Sequence, residues 1–555
     1  MMHRLAEKEQ AVSPLLTDMY QITMAYTYWK TGRHCLHSTF DLYFRKAPFG
    51  GSYALFAGLQ DCLRFVSYYR FTQSEVDYVK SVIPSCDQEF LQWLLTVNCA
   101  SVTIHAFEEG SVVFPSEPML RVSGPLAVVQ LLETTLLNMV NYASLMATNA
   151  HRFRIAAGPE AKLFEFGLRR AQGPDGAMSA SRYSMHGGFD GTSNVAAGFQ
   201  YGIPVFGTHA HSYVQSFCSL SDCFADTKHF ISSKDSEMSS QAFRDRVTRI
   251  RDTLDLASRT SDGELAAFIS YAFVHPSSFL ALVDTYDTIE SGVPNFMCVA
   301  FALFEMNHQP IGIRLDSGDL GCTSVKAHSA FHGIAEMYVS RFKAPRDGVL
   351  NMVSKLSIVA SDEISVPKLL ELRSMNHEIT AFGIGTHLVT CREQPALGCV
   401  FKLSSVQGKL RMKLSEDPAK ASIPGEKVVY RLYDQHNKAF GDVLALSDDK
   451  SLRGGESVEL RRRQRPENVI TVVPHRIRKL LQLVWCGEPD VKQLDPQQYI
   501  KMATSRMKMD VDELDSEVVG VVCEPKEYPV FITSSLYQAM RKLQCLIEIR
   551  NESDR

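Results

Sequence analysis

The middle of this 555-residue chain predicts an α/β fold, a closed or nearly closed barrel of parallel strands. Three observations carry the prediction. Short apolar runs recur from about residue 160 to 400, and each ends in polar or glycine-rich residues. Helical patterns lie between several of them, and strands alternating with helices form parallel βαβ units. Six such units stand in one block, enough to close a barrel.

The six runs are residues 162–169, 203–211, 279–284, 311–316, 356–362 and 379–386. In a barrel of this kind the chemistry sits at the carboxyl ends of the strands. Those ends carry Arg169, Thr208 with His211, Asp284, Arg314 with Asp316, Asp362, and Gly385 with Thr386. A polar residue after one strand is ordinary loop chemistry. Together the six ends make a set suited to an anionic, multiply phosphorylated substrate.

The flanks read differently, and the division expected is 1–150, 151–405 and 406–555. Residues 15–29 carry a helical pattern with Thr17 as N-cap, and 37–44 alternate like a strand. Residues 126–151 read as a long apolar helix. Glu133, Asn138 and Asn141 interrupt it, which favours a buried helix over a membrane span. Residues 405–475 are richer in charge and turns, and 460–465 read there as a solvated basic stretch. Near the end, Leu536, Met540, Leu543 and Ile547 have the spacing of a packing helix over 534–547.

Composition narrows the function. Hydrophobic residues make up 45% and charged residues 22%, with a net charge of −4. That is ordinary globular composition, with no electrostatic reason to expect nucleic acid or an anionic membrane as partner. His3, Arg4, Glu7, Lys8 and Glu9 deny residues 1–14 the apolar core of a signal peptide. Thirteen scattered cysteines, an odd number, lack a framework spacing. The expectation is reduced thiols in the cytosol.

Four motifs carry chemistry. In Gly312-Ile313-Arg314-Leu315-Asp316-Ser317-Gly318-Asp319 a strand puts Arg314 and Asp316 on one face. The arginine can bind an anion or stack on a ring, and the aspartate can accept from sugar hydroxyls or hold a metal. The pair could equally be a buried salt bridge. In Gly207-Thr208-His209-Ala210-His211-Ser212 the two histidines share a side if the strand persists. They could bind zinc in a hydrolase, or one could act as nucleophile or general base. Phosphate needs backbone N–H groups at a glycine turn or a helix start. Gly383-Ile384-Gly385-Thr386 fits that need, and so does the glycine-rich segment 187–194. There is no GxxxxGK[ST] loop.

The ordered motifs give the chain a family resemblance. They are LTDMYQ at 16–21, FRKAPFGG at 44–51, EFGLRRAQGPDG at 165–176, and the segments 187–194, 207–212, 314–319 and 383–386, with RMKLSEDP at 411–418. The chain resembles nicotinate phosphoribosyltransferase, in the pattern of the animal branch, most clearly from about 14 to 430 and only in general trend after about 440.

The resemblance implies a type II phosphoribosyltransferase fold, an irregular α/β barrel with a second α+β domain formed by both chain ends. It also implies a homodimer with shared active sites, in which Tyr20 of one subunit and Phe166 sandwich the pyridine ring. Arg314, Thr208 and Ser193 would bind nicotinate. Arg169, Asp316, Asp362, Gly385 and Thr386 would bind 5-phosphoribosyl 1-diphosphate. His211 matches the histidine that ATP phosphorylates in this family, and Asp284 would orient its ring. Phosphorylation would couple ATP hydrolysis to tighter substrate binding and a better product yield. Magnesium, its ligands unassigned, would steady the leaving diphosphate. In the nicotinamide-using relatives an aspartate stands where Ser193 stands here, so the resemblance implies the acid as substrate and a ligase-type first step of NAD synthesis from nicotinate.

Overall fold

A computed structural model describes residues 12–223, 230–232, 237–413, 421–487, 495–521 and 525–553. Residues 1–11 and most of the RMKLSEDP motif lie outside the described residues, as does the side chain of Ile547. The chain forms two compact units. One consists of Arg152–Ser181 and Phe189–Arg392, and the other of Met1–His151, Arg182–Gly188 and Glu393–Arg555.

The first unit is built on a parallel sheet. Its strands run Leu280–Leu282, Gly312–Leu315, Ser357–Ala360, Ala381–Ile384, Lys162–Glu165 and Gly191–Thr192, in that spatial order. Every neighbouring pair is parallel. Parallel strands need crossovers, and the helices Val293–Glu305, Leu320–Phe342 and Val366–Ser374 supply them. This is the expected α/β barrel, with strands of no more than four residues.

One sequence expectation needs correction here. Residues 203–211 are not a strand; the only ladder contact there is an isolated bridge between Thr192 and Val205. The segment 187–194, where glycines could serve either a phosphate or the fold itself, contributes the strand Gly191–Thr192. Its N–H groups are engaged internally: Asp190 donates to the Leu163 carbonyl, Thr192 to that of Pro204, Ser193 to that of Glu165 and Asn194 to the Thr192 hydroxyl. Donors already paired inside the fold are not available to an anion. The barrel is closed past Val205 by side chains. The Thr208 hydroxyl donates to the Leu280 carbonyl, and the Leu282 N–H donates to His209 Nε2 at 3.3 Å.

The second unit mixes chain ends within one sheet. Strands His37–Phe44, Thr103–Ala106 and Leu120–Pro125 pair antiparallel with Cys399–Val406 and Gln482–Trp485. A second sheet comes from the C-terminal part alone and includes Lys427–Tyr433, Ala439–Leu446 and Val530–Thr533. Fully buried Arg431 ties early and late segments together. It donates to Asp442 at 2.8 Å, to Asp510 at 3.2 Å and to the Val112 carbonyl at 2.9 Å. A charge so placed is tolerated only with this full set of partners.

The strand at 37–44 and the long helix appear where expected, the latter as Leu126–Ala157. No helix among the described residues is long and apolar enough to cross a membrane. The first helix among the described residues is Met19–Lys30, and its N-cap is Asp18, not Thr17. The residues before it are pinned to the long helix, where the Thr135 hydroxyl donates to the Leu16 carbonyl and Thr134 to the Asp18 carboxylate. Residues 460–465 are not uniformly solvated. Arg461 packs its guanidinium 4.4 Å from the Tyr537 ring centre, and Arg463 donates to the Ala421 carbonyl. On the C-terminal helix Ser534–Ser553, Leu536 is buried and Met540 and Leu543 are half-buried.

His186 and Glu109, both buried, face each other at 3.6 Å. Burial pushes the His186 imidazole down to about 3 and the Glu109 carboxyl up, so both favour the neutral form. The unfolded chain binds a proton at a histidine near 6.5, where folded His186 does not. Stability from this group is therefore complete above 6.5 and declines as pH falls towards 3. Thermal unfolding followed from pH 7 to about 4 should show a falling Tm in the parent and a shallower fall in His186→Asn. Parallel curves would refute the assignment.

Candidate active site

The rim of the barrel is assembled from the residues at the carboxyl end of each short strand. Period two along Lys162–Glu165 puts Phe164 and Phe166 on one face and Leu163 and Glu165 on the other. Glu165 is fully buried and accepts from the Thr192 hydroxyl at 2.6 Å, the Ser181 hydroxyl at 2.8 Å and the Gly167 N–H. It thereby fixes the turn that leads to Arg169 and the strand that leads to Ser193. On the opposite face Phe164 packs 4.5 Å from Phe206, centre to centre, and 6.2 Å from Phe166 in a stacked arrangement. Gly383 makes room for the Phe166 ring, because a Cβ there would come within 2.3 Å of Cδ2.

The Gly312–Leu315 strand delivers Arg314, and Asp316 follows it. They are not the salt bridge that their spacing allowed. Arg314 points Nη2 at the His209 carbonyl, 3.4 Å away, while Asp316 Oδ1 accepts from the Ser361 hydroxyl at 2.6 Å. Burial lowers the proton affinity of the Arg314 guanidinium, Asp316 and Asp284 oppose that, and Arg169 adds to it. Gly318 takes φ +76° in the turn, and Asp319 then caps the helix Leu320–Phe342 through the Cys322 N–H at 3.0 Å.

The two histidines part company. The chain turns at Ala210, and His211 opens the helix His211–Gln215. His209 is buried, accepts from Leu282, and lies 5.0 Å from the Tyr271 ring, centre to centre. Burial first, and Arg314 next, push it down to about 4, so it is neutral. Engaged by a backbone N–H, His209 Nε2 is not available to the paired zinc ligation considered for His209 and His211. No group of three or more metal-ligating side chains is arranged around a metal position among the described residues.

His211 keeps 40% of its side chain exposed and is surrounded by specific partners. Nδ1 lies 3.0 Å from the Thr285 hydroxyl. Nε2 lies 3.9 Å from Asp284 Oδ1 and 3.8 Å from Asp316 Oδ2. Asp284 Oδ2 is held by the Asp316 N–H and the Ser317 hydroxyl, both at 2.7 Å. Its Oδ1 is buried with no hydrogen-bond partner. The structure thus brings together His211, Asp284, Asp316 and Arg314, with Thr208 beside them through Leu280, the strand partner of Gly312.

Asp362 stands after the Ser357–Ala360 strand. Partial burial raises its carboxyl affinity, and Asp316, Glu363 and Asp284 add to the rise. Thr386 opens the helix Thr386–Val389, with Gly385 as its N-cap. Arg169 is exposed in the turn Leu168–Arg170. Ser193 donates its N–H to the Glu165 carbonyl at 2.9 Å and its hydroxyl to the same oxygen at 3.4 Å. It does not cap the helix Val195–Tyr201, since Asn194 does so through the Ala197 N–H. Tyr20 lies in the other unit and is 49% exposed, with Leu16 and Met19 exposed beside it in sequence.

Sequence reasoning missed Glu165, Thr285, Ser317 and Ser361. Each is next to a residue it did name or inside a named motif, but nothing in the order of residues says which oxygen meets which nitrogen.

Known proteins resemble the chain along most of its length. Family models described as the nicotinate phosphoribosyltransferase (NAPRTase) N-terminal domain, the NAPRTase family and the nicotinate phosphoribosyltransferase C-terminal domain match residues 15–141, 161–283 and 426–540. The last match carries the likeness well past residue 440, where the motifs alone had faded. Nicotinate phosphoribosyltransferase 1 of Arabidopsis thaliana is 44% identical over 535 residues, covering 95% of this chain and 93% of its own. The nicotinate phosphoribosyltransferase of Dictyostelium discoideum is 49% identical over 447 residues, covering 80% and 73%. The crystal structure of human nicotinic acid phosphoribosyltransferase superposes with a TM-score of 0.82 at 36% identity, covering 95% of this chain and 99% of that one.

Proposed function

We propose a specific activity for the chain, which belongs to the nicotinate phosphoribosyltransferase family. It joins nicotinate to the phosphoribosyl group of 5-phosphoribosyl 1-diphosphate, forming nicotinate mononucleotide and diphosphate as the first step of NAD synthesis from nicotinate. The transfer is coupled to ATP hydrolysis, in ligase fashion, through phosphorylation of His211. The observation that carries this reading is the placing of His211 Nε2 between two carboxylates at the barrel rim, beside Arg314.

Each residue then has a task. Phe166, seated over Gly383, offers a face to the pyridine ring, and Arg314 meets the substrate carboxylate. Thr208 and Ser193 add short polar contacts. Arg169, Gly385 and Thr386 hold the phosphates, while Asp316 and Asp362 accept from the ribose hydroxyls. As bonding to the leaving diphosphate weakens, ribose C1 gains positive charge, which nearby carboxylates favour. Asp284 and Asp316 likewise stabilise a cationic His211 ring. Magnesium suits the oxygen-rich rim, because that ion takes one or two carboxylates together with substrate phosphates and needs no all-protein cage. It would steady the diphosphate. The cytosol is the compartment that fits.

The protein would act as a homodimer with shared sites. Support comes from Leu16, Met19 and Tyr20, which leave apolar surface exposed at the start of the Met19–Lys30 helix. Tyr20 of the neighbouring subunit would cover the second face of the pyridine ring.

The test of the activity is an assay with nicotinate, 5-phosphoribosyl 1-diphosphate, ATP and magnesium. His211→Ala should lose ATP turnover and the ATP-driven gain in product while keeping some basal transfer. A variant that still hydrolyses ATP in step with transfer would exclude His211 as the phosphorylated group.

Site sharing is tested by mixing. Inactive Tyr20→Ala and inactive Arg314→Ala should recover activity after subunit exchange, since a hybrid dimer regains one intact site. Verified exchange without recovery would count against sharing.

Preference for the acid is tested at Ser193. Nicotinate is an anion that only accepts hydrogen bonds, whereas the amide offers an N–H₂ donor. A carboxylate at this position would repel the first and serve the second. Ser193→Asp should lower the kcat/KM ratio of acid to amide by roughly 1–3 kcal/mol, the scale of a badly matched buried polar group. An unchanged ratio in a folded, active variant would remove Ser193 from substrate selection.

A further inference from the structure

Thr285 has no task in the proposed reaction, yet it contacts the His211 ring. Its hydroxyl is 3.0 Å from Nδ1. The opposite nitrogen, Nε2, faces two carboxylate oxygens, Asp284 Oδ1 at 3.9 Å and Asp316 Oδ2 at 3.8 Å. Carboxylate oxygens only accept. The other oxygen of each group is already engaged, Asp284 Oδ2 by the Asp316 N–H and the Ser317 hydroxyl, and Asp316 Oδ1 by the Ser361 hydroxyl. Asp284 Oδ1 is buried and has no hydrogen-bond partner.

These constraints decide where the ring proton sits. On Nε2 it points at Asp284 Oδ1, which lacks a donor, and at Asp316 Oδ2. On Nδ1 it would leave the Nε2 lone pair facing both carboxylates and Asp284 Oδ1 without any donor. The neutral ring therefore carries its proton on Nε2 and its lone pair on Nδ1, and a hydroxyl that meets a lone pair must donate. A threonine suits this duty because its branched Cβ restricts the side chain to few rotamers. The ring needs such a guide, since it opens a five-residue helix and is 40% exposed.

We propose that Thr285 is a positioning residue for His211, its hydroxyl donating to Nδ1 and holding the ring in the orientation and tautomer that keep the Nε2 proton between Asp284 and Asp316. The catalytic consequence rests on the phosphohistidine reading; the ring geometry does not. In the phosphorylation step the Nδ1 lone pair forms the N–P bond with the γ-phosphorus of ATP. The bond from that phosphorus to the β–γ bridging oxygen breaks, and ADP leaves with its electron pair. The Thr285 hydroxyl is released from Nδ1 as the bond forms, and the positive charge gained by the ring is met through Nε2–H by the two carboxylates. A ring of the other tautomer would present the wrong atom.

The experiment uses the full chain labelled with ¹⁵N-histidine, the His211 signals being identified by their loss in His211→Gln. Nitrogen shifts should report a proton on Nε2 and none on Nδ1. Thr285→Val keeps the shape and removes the donor. Its His211 signals should move to a mixture of tautomers, and phosphoenzyme should form roughly tenfold more slowly from ATP, the scale of one lost hydrogen bond. Thr285→Ser should restore both. A proton on Nδ1 in the parent overturns the proposal, whether or not Thr285→Val folds. So does a Thr285→Val protein with the parent's tautomer and rate. A parent that forms no phosphoenzyme but shows the Nε2 proton, lost in Thr285→Val, upholds the positioning and overturns only the phosphohistidine reading.

Discussion

The site depends on a joint where the barrel ladder stops and side chains take over. After the Thr192–Val205 bridge no strand continues. Thr208 bonds through its hydroxyl to the Leu280 carbonyl, and His209 Nε2 takes the Leu282 N–H. Both partners lie on the strand that begins the other edge of the sheet, so two side chains close what a seventh run of backbone would otherwise have closed. Had the strand persisted, period two would have aimed His209 and His211 the same way. Because it stops, the chain turns at Ala210. One imidazole goes into the core and the other onto the rim, between groups that arrive from two further strands.

Charge balance at the rim comes from what each strand end brings. Asp316 and Asp284 both push the proton affinity of Asp362 upward. Arg169 pushes that of Arg314 downward. Repulsion within each set is tolerated because the outer oxygens of Asp284 and Asp316 have donors from Ser317, Ser361 and a backbone N–H. Three buried atoms here have no hydrogen-bond partner: one oxygen of Asp284, the Arg314 Nε and the His209 Nδ1. Leaving a buried polar atom unpaired costs about 1–3 kcal/mol, which a fold retains where a ligand or an intermediate is to use it.

The fold was legible because its signals are local and repeated. Five of the six expected barrel strands recur as pieces of the predicted runs, four ending before the polar residues that mark the rim and the fifth, Gly312–Leu315, containing Arg314. The strand at Gly191–Thr192 was hidden, because two residues carry no period and the glycines around them suggested a phosphate turn. Those glycines answer to packing instead. A Cβ at Gly187 would meet Ala150 at 2.5 Å, and one at Gly191 would meet Phe206 at 2.5 Å. Thr17 misled for a related reason: a capping residue type is common near a helix start, and Asp18 beside it was equally qualified. At the site, His211, Asp284, Arg314 and Asp316 could be named because charged groups at strand ends are conspicuous. Thr285, Ser317, Ser361 and Glu165 could not. Short hydroxyls are frequent in loops, and their value here lies in a distance between segments far apart in sequence.

That difference bears on how two histidines separated by one residue come to have opposite natures. Identical side chains receive the same covalent surroundings, so sequence can offer only alternatives: a shared metal, or one nucleophile. Environment separates them. His209 loses water, gains the nearby Arg314 charge and is held neutral with its Nε2 occupied. His211 retains solvent on one side and meets two carboxylates and a hydroxyl on the other. The first arrangement would penalise any positive charge on the ring, and the second would welcome one. The proposed passage of His211 through a cationic, covalently modified state fits the second setting. The uncharged His209, filling the joint beneath it, is what keeps the chain turned so that His211 can occupy that setting.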